Sequence, residues 1–470
     1  MPVGFLLLVI VYGLVLRPLL FGQPAMPIEV VFPLASAFAL LHLRRLGHRW
    51  PDLQGAIIAR LARGMSGFFV LFAIGLLIGS WIVCGTIPML VHWGVQVIGP
   101  TWLYPLAFLV PAAFSTLTGT SWGSAGTIGV VILGVAQSLG GDLAVTAGAV
   151  IGGAYFGDKL SPLSDTTNMA ALGADVDLFD HVRSMLYTTV PSALVALAVY
   201  VAVGIVSPPS GGEVALEPFL AALEELFTFH PILLLPPAIV LFGCVRRLPT
   251  IPVLGAGVLC AVVLALGLQR FDSASVFTSL TTGFTIEMAP WAGSVPDEVA
   301  TLVTRGGLYS MKEAIFAAFL VFFFIGMLDR IDAMAIVVSR VLRFARGQIA
   351  AVLSALAAAA VTNALTCNQY ATSFIVGDAL RARFDGDGVP RHVLSRSIED
   401  TGTMIEPLLP WHPTALFMVA TLGVPVADYW RWELLTLANL VIAPLLAITG
   451  IGCAYRQTTA HADPIAGDRG

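Results

Sequence analysis

Long apolar runs alternate with short polar connections along almost the whole chain. Helices of about 17–25 apolar residues can cross a bilayer. Two stretches, 143–172 and 395–422, are apolar but interrupted by polar residues, and two more, 102–137 and 349–380, are long with a polar cluster in the middle. The pattern predicts an all-α polytopic membrane protein. The uninterrupted candidate spans are 3–21, 28–43, 66–90, 185–206, 231–245, 251–268, 313–328 and 433–453.

Basic residues in the connections indicate how these spans are oriented. Lys and Arg concentrate in cytoplasmic loops of membrane proteins. Arginines cluster in segments 44–63, 246–247, 330–346 and 381–396, which we therefore expect on the cytoplasmic side. The stretch 207–218 has no basic residue and should lie outside. This orientation places both termini in the cytoplasm.

The two long interrupted regions predict hairpins. Region 349–380 has arginines on both flanks, which indicates a re-entrant hairpin entering from the cytoplasm. Region 102–137 would be the corresponding hairpin from outside. The alternative for each hairpin is an ordinary pair of complete spans. With hairpins, the chain makes about ten crossings plus two re-entrant hairpins with broken helices.

Three short motifs recur in the same order in the two halves. Arg63-Gly64 before one span resembles Arg305-Gly306 before another, segment 117–122 matches 365–370, and segment 160–166 matches 394–401. The predicted orientation makes corresponding elements run in opposite directions. Interrupted helices in inverted-topology repeats are typical of secondary transporters. The predicted division is a first repeat 1–206, an external linker 207–230, a second repeat 231–456 and a short cytoplasmic tail 457–470.

Composition supports a membrane environment and excludes several classes of function. Hydrophobic residues make up 57% and charged residues 11%, whereas soluble domains carry about 25% charged residues. The mean hydropathy is +0.88, so a soluble enzyme and a disordered chain are excluded. The net charge of −5 provides no basic surface for nucleic acid. The five cysteines occur without a CxxC motif, which indicates neither a disulfide framework nor a zinc site.

Most polar residues at membrane depth fall in four clusters, two in each half. A charged residue at the bilayer centre costs at least about 2.5–3.5 kcal/mol, so acidic clusters there indicate function. Asp165 and Asp400 occupy matching repeat positions and are the predicted ligands of a cation. The full set of candidate cation- and proton-binding residues is Thr118, Thr120, Ser121, Asp158, Ser161, Ser164, Asp165, Thr166, Thr167, Asn168, Thr366, Asn368, Glu399, Asp400, Thr401, Thr403 and Glu406.

Prolines in these clusters could supply further oxygen ligands. A proline removes the hydrogen bond to the carbonyl four residues earlier, so Pro162 should free the carbonyl of Asp158, and Pro407 that of Thr403. Such oxygens suit a small alkali cation. Simpler interpretations are a helix-anchoring ion pair between Asp158 and Lys159, and a Glu399 that only pairs with Arg391 and Arg396.

Two segments resemble a known family. The run GTSWGSAGTIG (119–129), followed by GAYFGDKLSPLSDTTNMAA (153–171), resembles the signature region of the NhaC family of sodium/proton antiporters. The run SRSIEDTGTMIEPLLPWHP (395–413) resembles that family's second signature block. Glu406 and His412 depart from it, standing where a small polar residue and an asparagine are usual. We interpret His412 as an interfacial histidine rather than a proton relay.

The resemblance implies a multi-pass antiporter of a bacterial inner membrane. A low-dielectric site disfavours an ionised carboxylate and a bound cation stabilises it, so we expect a cation and protons to compete for buried carboxylates. Na⁺ and H⁺ would be the transported ions, with no cofactor. The expected partners are the small cation, protons and the lipid bilayer, with a homodimer as an open alternative and no nucleic acid. The alternative function is a sodium-coupled transporter or exchanger of a small organic acid or amino acid, because members of the wider group carry such solutes.

Overall fold

A computed structural model describes residues 1–209, 213–246, 248–331 and 347–455, and all regular structure in these ranges is helical. Short π-helical segments lie at Val11–Leu16, Ala125–Gly129 and Glu399–Thr403.

The α-helices, numbered in chain order, are α1 (Pro2–Ile10), α2 (Arg17–Phe21), α3 (Ile28–Arg45), α4 (Trp50–Val83), α5 (Thr86–Val97), α6 (Leu103–Thr118), α7 (Ser121–Ser124), α8 (Val130–Ser138), α9 (Leu143–Leu160), α10 (Asp165–Ala174), α11 (Leu178–Val206), α12 (Glu213–Leu226), α13 (Leu235–Val245), α14 (Thr250–Leu268), α15 (Ser273–Thr282), α16 (Asp297–Val303), α17 (Lys312–Asp329), α18 (Gln348–Thr366), α19 (Gln369–Gly386), α20 (Arg391–Ile398), α21 (Pro413–Leu422), α22 (Val426–Tyr429) and α23 (Leu434–Thr449).

The prediction of an all-α polytopic membrane protein is confirmed. Within the described ranges, six helical segments are long and apolar enough to cross a membrane, and two bent pairs raise this number to eight. The sequence predicted about ten crossings, which is more than the six to eight segments that are long and apolar enough in the described ranges. Part of the difference lies at the amino terminus. The predicted span 3–21 is divided by the π-helical segment Val11–Leu16, and α3, which contains the predicted span 28–43, ends in the basic residues His42, Arg44 and Arg45.

Segment 44–63 is mostly helix rather than the predicted loop, because α4 begins at Trp50. Leu53, Ile57 and Arg60 are spaced at helical intervals and are buried on one face. Arg60 is only 4% exposed and donates a hydrogen bond to the carbonyl of Thr366 in the second half of the chain. One of the arginines used to orient the chain therefore contacts the protein interior.

The two predicted hairpins have tips of the same local structure. Helix α6 ends at Gly119, whose φ is +69°, and the side chain of Thr120 then accepts a hydrogen bond from the amide of Gly123 at 3.2 Å. Helix α18 ends at Cys367, whose φ is +48°, and Asn368 caps α19 in the same way. These are the residues that the sequence match aligns. The inverted topology of the halves and the re-entrant depth of the hairpins stay predictions.

Both predicted broken helices are interrupted. The first consists of α9 and α10, separated by residues 161–164, and the second runs from α20 through the π-helical segment Glu399–Thr403 to α21. Segment 207–230 contains α12, and the predicted tail 457–470 lies outside the described residues.

Close packing of α6 against α9 positions the first break beside the first hairpin tip. A Cβ on Gly153 would lie 2.1 Å from the carbonyl oxygen of Phe108, and a Cβ on Gly157 would lie 2.4 Å from that of Ala112. Only glycine permits helices to approach this closely at these positions. The carboxylate of Asp158 follows directly after this contact.

Candidate functional site

A cavity of about 510 Å³ opens where the two hairpin tips meet the two broken helices. One wall is apolar and includes Val70, Ile74, Leu254 and Phe322. The structure thus brings parts of all four polar clusters to one place. The polar lining consists of Arg63, Ser66, Thr120, Ser121, Asp158, Asp165, Thr166, Thr250, Asn368, Gln369, Tyr370, Thr403, Glu406, His412 and Thr414.

Asp158 is the first of two buried carboxylates that line this cavity. Its side chain is 5% exposed, and Oδ2 accepts a hydrogen bond from the hydroxyl of Ser121 at 2.8 Å. Oδ1 has no hydrogen-bond partner in the part of the chain that the structure describes. The backbone carbonyl of Asp158 is not left free by Pro162, because Ser161 N and the Thr167 hydroxyl donate to it at 3.2 and 3.3 Å.

Glu406 is the second buried carboxylate of the cavity. Its Oε1 accepts from the amide of Asn363 at 2.9 Å, while Oε2 accepts from the hydroxyls of Thr414 at 2.9 Å and Tyr155 at 3.2 Å. Three neutral donors therefore orient this side chain and stabilise its negative charge.

His412 lies next to Glu406 and is buried in the protein. Its Nδ1 accepts a hydrogen bond from the amide of Thr414 at 3.2 Å, which caps α21. A neutral imidazole that accepts at Nδ1 carries its proton on Nε2, and Nε2 lies 3.9 Å from Oε1 of Glu406. The position of His412 relative to the membrane interface stays a prediction.

Asp165 and Asp400 occupy different surroundings. Asp165 is exposed at the amino terminus of α10, lines the cavity, and accepts a hydrogen bond from the hydroxyl of Tyr370 on the second hairpin. Asp400 is 1% exposed and is not among the cavity-lining residues. Its Oδ1 accepts from Lys159 Nζ and, at 2.8 Å, from the hydroxyl of Thr188.

Lys159 thus pairs with Asp400 of the second half and not with its neighbour Asp158. Arg396 adds a second positive charge, with Nε 3.8 Å from Oδ2 of Asp400. This cluster joins the two broken helices behind the cavity.

Glu399 is the most isolated of the predicted acidic residues. Its side chain is 0% exposed, and neither carboxylate oxygen has a hydrogen-bond partner among the described residues. Arg391, which was a candidate partner, instead contacts Asp175 at 2.5 Å and Asp385 at 2.7 Å.

The remaining predicted residues shape the breaks and tips rather than line the cavity. Ser164 caps α10, Asn168 donates to the carbonyl of Ser164 at 2.6 Å, and Thr401 donates to that of Leu356 at 2.6 Å. The polar groups of these side chains are therefore engaged in hydrogen bonds with backbone groups. The residues in this group are Thr118, Ser161, Ser164, Thr167, Asn168, Thr366 and Thr401.

Several residues of the site were missing from the predicted set. Gln369 and Tyr370 directly follow Asn368 at the second tip, so their place in the repeat match was an available signal. Tyr155 and Thr414 reach Glu406 from α9 and α21, and no local sequence pattern marks this contact. Among the described residues, no group of three or more His, Cys, Asp and Glu side chains is arranged to hold a metal ion.

Comparison with known proteins gives a consistent family. The Na⁺/H⁺ antiporter family profile matches residues 153–451, which is more than half of the chain. A Haemophilus influenzae protein named as an uncharacterized Na⁺/H⁺ antiporter is 37% identical over 93% of this chain and 92% of its own. The Na⁺/H⁺ antiporter NhaC of Alkalihalophilus pseudofirmus is 34% identical over 93% of both chains. An arginine/ornithine antiporter of Halobacterium salinarum is 32% identical over 86% of this chain and 83% of its own. The chain belongs to the Na⁺/H⁺ antiporter family.

Proposed function

We propose that this protein exchanges Na⁺ for H⁺ across the cell membrane and that the two ions compete for Asp158. The observation that carries the proposal is the buried Oδ1 of Asp158, which has no hydrogen-bond partner among the described residues and belongs to a residue that lines a cavity formed by both hairpin tips and both broken helices. Family membership supports the choice of ions.

The chemistry of the lining fits a small hard cation. Carboxylate, hydroxyl and amide oxygens are the ligands that such ions prefer. Thr120, Asn368 and Thr403 supply oxygens around the two carboxylates of Asp158 and Glu406. When the cation leaves, a proton on Asp158 avoids the cost of an uncompensated buried charge. Competition for one carboxylate is sufficient to couple the two fluxes.

The two residues first expected to bind the cation receive different roles in this proposal. Asp400 holds the broken helices together through Lys159. Asp165 stands at the exposed part of the cavity, where it would attract cations and position Tyr370.

The cavity would open to the cytoplasm. Arg63, Pro249 and Thr250 line it, and these residues belong to or follow the arginine-rich segments expected on that side. Both termini would then be cytoplasmic, in the membrane of the cell.

The alternative substrate is an organic acid or amino acid. A cavity of about 510 Å³ has room for such a solute, and one relative is named as an arginine/ornithine antiporter. An organic anion would need positive charge at the site. Asp158, Asp165 and Glu406 make the lining acidic, and Arg63, which also lines the cavity, is paired with Asp329 at 2.7 Å. The lining therefore favours a cation over an organic anion.

The proposal is tested by proton flux in proteoliposomes that contain a pH-sensitive dye. We expect Na⁺ to drive proton flux in the wild type and not in Asp158→Asn. The matched control Asp297→Asn, an exposed acid at the start of α16, should behave as wild type. Normal sodium-driven flux in Asp158→Asn would refute the assignment. Flux driven by arginine or malate but not by Na⁺ would support the alternative.

A further inference from the structure

Arg60 is a buried arginine of the first half of the chain that contacts the second hairpin tip. It lies on α4, and its Nη2 donates a hydrogen bond to the backbone carbonyl of Thr366. Thr366 is the last residue of α18, and the carboxyl end of a helix carries partial negative charge on its free carbonyl groups. The guanidinium therefore stabilises the end of α18 and is itself stabilised there.

The carboxylate of Asp329 does not account for this position of the arginine. Its Oδ2 is 3.8 Å from Nη1 of Arg60 but 2.7 Å from Nη2 of Arg63, so Arg63 is the closer partner of Asp329. The ring of Phe322 lies against Arg60, with its centroid 5.5 Å from Cζ. Among the described residues, the carbonyl of Thr366 accepts the hydrogen bond that the buried guanidinium donates.

The two hairpin tips reach the same left-handed backbone conformation with different residues. The angle φ is +69° at Gly119 in the first tip and +48° at Cys367 in the second. Glycine adopts this conformation readily, whereas a residue with a Cβ does so at a cost in conformational energy. We therefore expect contacts from outside the second tip to hold it in place. Arg60 supplies one at the residue directly before Cys367, and Nε1 of Trp411 supplies another, 2.8 Å from the carbonyl oxygen of Ala364.

The second tip is connected to the acidic residues of both broken helices. Asn363, in the last turn of α18, donates a hydrogen bond to Oε1 of Glu406 at 2.9 Å. Just after the tip, the hydroxyl of Tyr370 donates to Asp165. Asn368, at the tip itself, lines the cavity. A displacement of the tip would therefore change the lining of the cavity and both of these contacts together.

We propose that Arg60 is a positioning residue for cation binding, which clamps the second hairpin tip from the first half of the chain. The clamp does for the second tip what glycine does for the first. Arg60 does not line the cavity, so its loss would leave the lining residues themselves unchanged but would release Asn368 and its neighbours from their positions. This inference rests on the proposed function and adds a residue on which the same site depends.

Sodium titration of exchange in proteoliposomes tests the clamp through its effect on the site. Arg60→Met removes the clamp without leaving a carboxylate unpaired, because Arg63 remains 2.7 Å from Asp329. The apparent affinity for Na⁺ should fall by about ten- to hundredfold, as expected for the loss of one hydrogen bond to a charged group, and the maximal rate should change less. The matched control Arg49→Met, an exposed arginine just before α4, should behave as wild type.

Unchanged sodium affinity in Arg60→Met would overturn the proposal. Arg60→Gln, whose shorter side chain has no charge, should show the same loss of affinity and replaces Arg60→Met if that variant does not reach the membrane.

The variant Cys367→Gly distinguishes a clamp from a general loss of packing around Arg60. Glycine removes the cost of the left-handed conformation, so the tip should depend less on outside support. Adding Cys367→Gly to Arg60→Met should therefore recover at least part of the lost sodium affinity. A double variant that binds Na⁺ as weakly as Arg60→Met would show that Arg60 does not act through the conformation of the tip.

Hydrogen exchange of the purified protein measures the position of the tip without transport. Amides in segment 363–372 should exchange at least about tenfold faster in Arg60→Met than in the wild type, because the tip opens more often. Segment 115–124, which contains the first tip, serves as an internal control and should be unchanged. Equal exchange of segment 363–372 in the two proteins would overturn the proposal. Absent sodium-driven flux in the wild type would instead contradict the proposed function, while the exchange measurement would still decide whether Arg60 holds the tip.

Discussion

Replacing Gly157 by alanine tests whether the contact of α6 with α9 sets the geometry of the cation site. A Cβ at this position would lie 2.4 Å from the carbonyl oxygen of Ala112 and 2.4 Å from the amide nitrogen of Thr116. Ordinary contacts of a Cβ begin at 3.4 Å, so the two helices must separate by about 1 Å. Overpacking of this kind costs about 1–3 kcal/mol.

The separation acts directly on Asp158, the next residue in α9. The hydrogen bond from Ser121 to Asp158, now 2.8 Å, would lengthen to about 3.8 Å and be lost. A hydrogen bond to a charged group contributes about 1.5–3 kcal/mol, and this one stabilises the ionised form that Na⁺ requires. The apparent affinity for Na⁺ should therefore fall by about ten- to hundredfold at constant pH.

The assay is a sodium titration of exchange rate in proteoliposomes, together with a thermal melt in detergent. The control is Gly255→Ala on α14, where no atom lies within 4 Å of the added Cβ, so stability should change by less than about 0.5 kcal/mol. If Gly157→Ala matched Gly255→Ala in both sodium affinity and melting temperature, the packing argument would be wrong.

Three other results are expected. Apparent sodium affinity should weaken by about tenfold per pH unit at acidic pH, where the proton occupies Asp158; a titration in which only the maximal rate changes would indicate a separate proton site. Lys159→Met should lower thermal stability by up to about 3–5 kcal/mol, because it leaves the buried Asp400 with only the more distant Arg396, at 3.8 Å, as a counter-ion. Adding Asp400→Asn should recover at least part of this loss, and a double variant as unstable as the single one would contradict the pairing. In a background without cysteines, Arg49→Cys should react with impermeant reagents from the cytoplasmic side and Ala274→Cys from outside; labelling from one side would contradict the proposed orientation.

Local features of the structure were predictable from short segments of sequence. The match between segments 117–122 and 365–370 indicated two similar hairpin tips, and both tips do adopt a left-handed residue followed by a capping side chain. These conformations depend on a few adjacent residues. The breaks after α9 and after residue 403 were likewise indicated by Pro162 and Pro407, because proline acts on its own helix.

The length of α4 was not predictable from charge alone. Five arginines between 44 and 63 indicated a cytoplasmic loop, yet the chain is helical from Trp50 and buries Arg60. The carbonyl of Thr366, which receives the guanidinium, is 306 residues away. A contact over such a separation leaves no mark in the local sequence.

The sequence by itself determined that this chain is helical and largely surrounded by lipid, that its polar residues gather in four clusters, and that Asp158, Asp165, Glu399, Asp400 and Glu406 are the acids to consider. These conclusions follow from apolar length and from the cost of placing charge in a bilayer. Only the tertiary structure decided which of these acids line the cavity and which have their partners elsewhere. Successive side chains of a helix point about 100° apart, so Asp158 faces the cavity while its neighbour Lys159 reaches Asp400 on the other broken helix. The partners of each carboxyl group depend on the packing of distant helices, and that packing leaves Glu399 without a donor, and Asp158 with one unpartnered oxygen, among the residues that the structure describes.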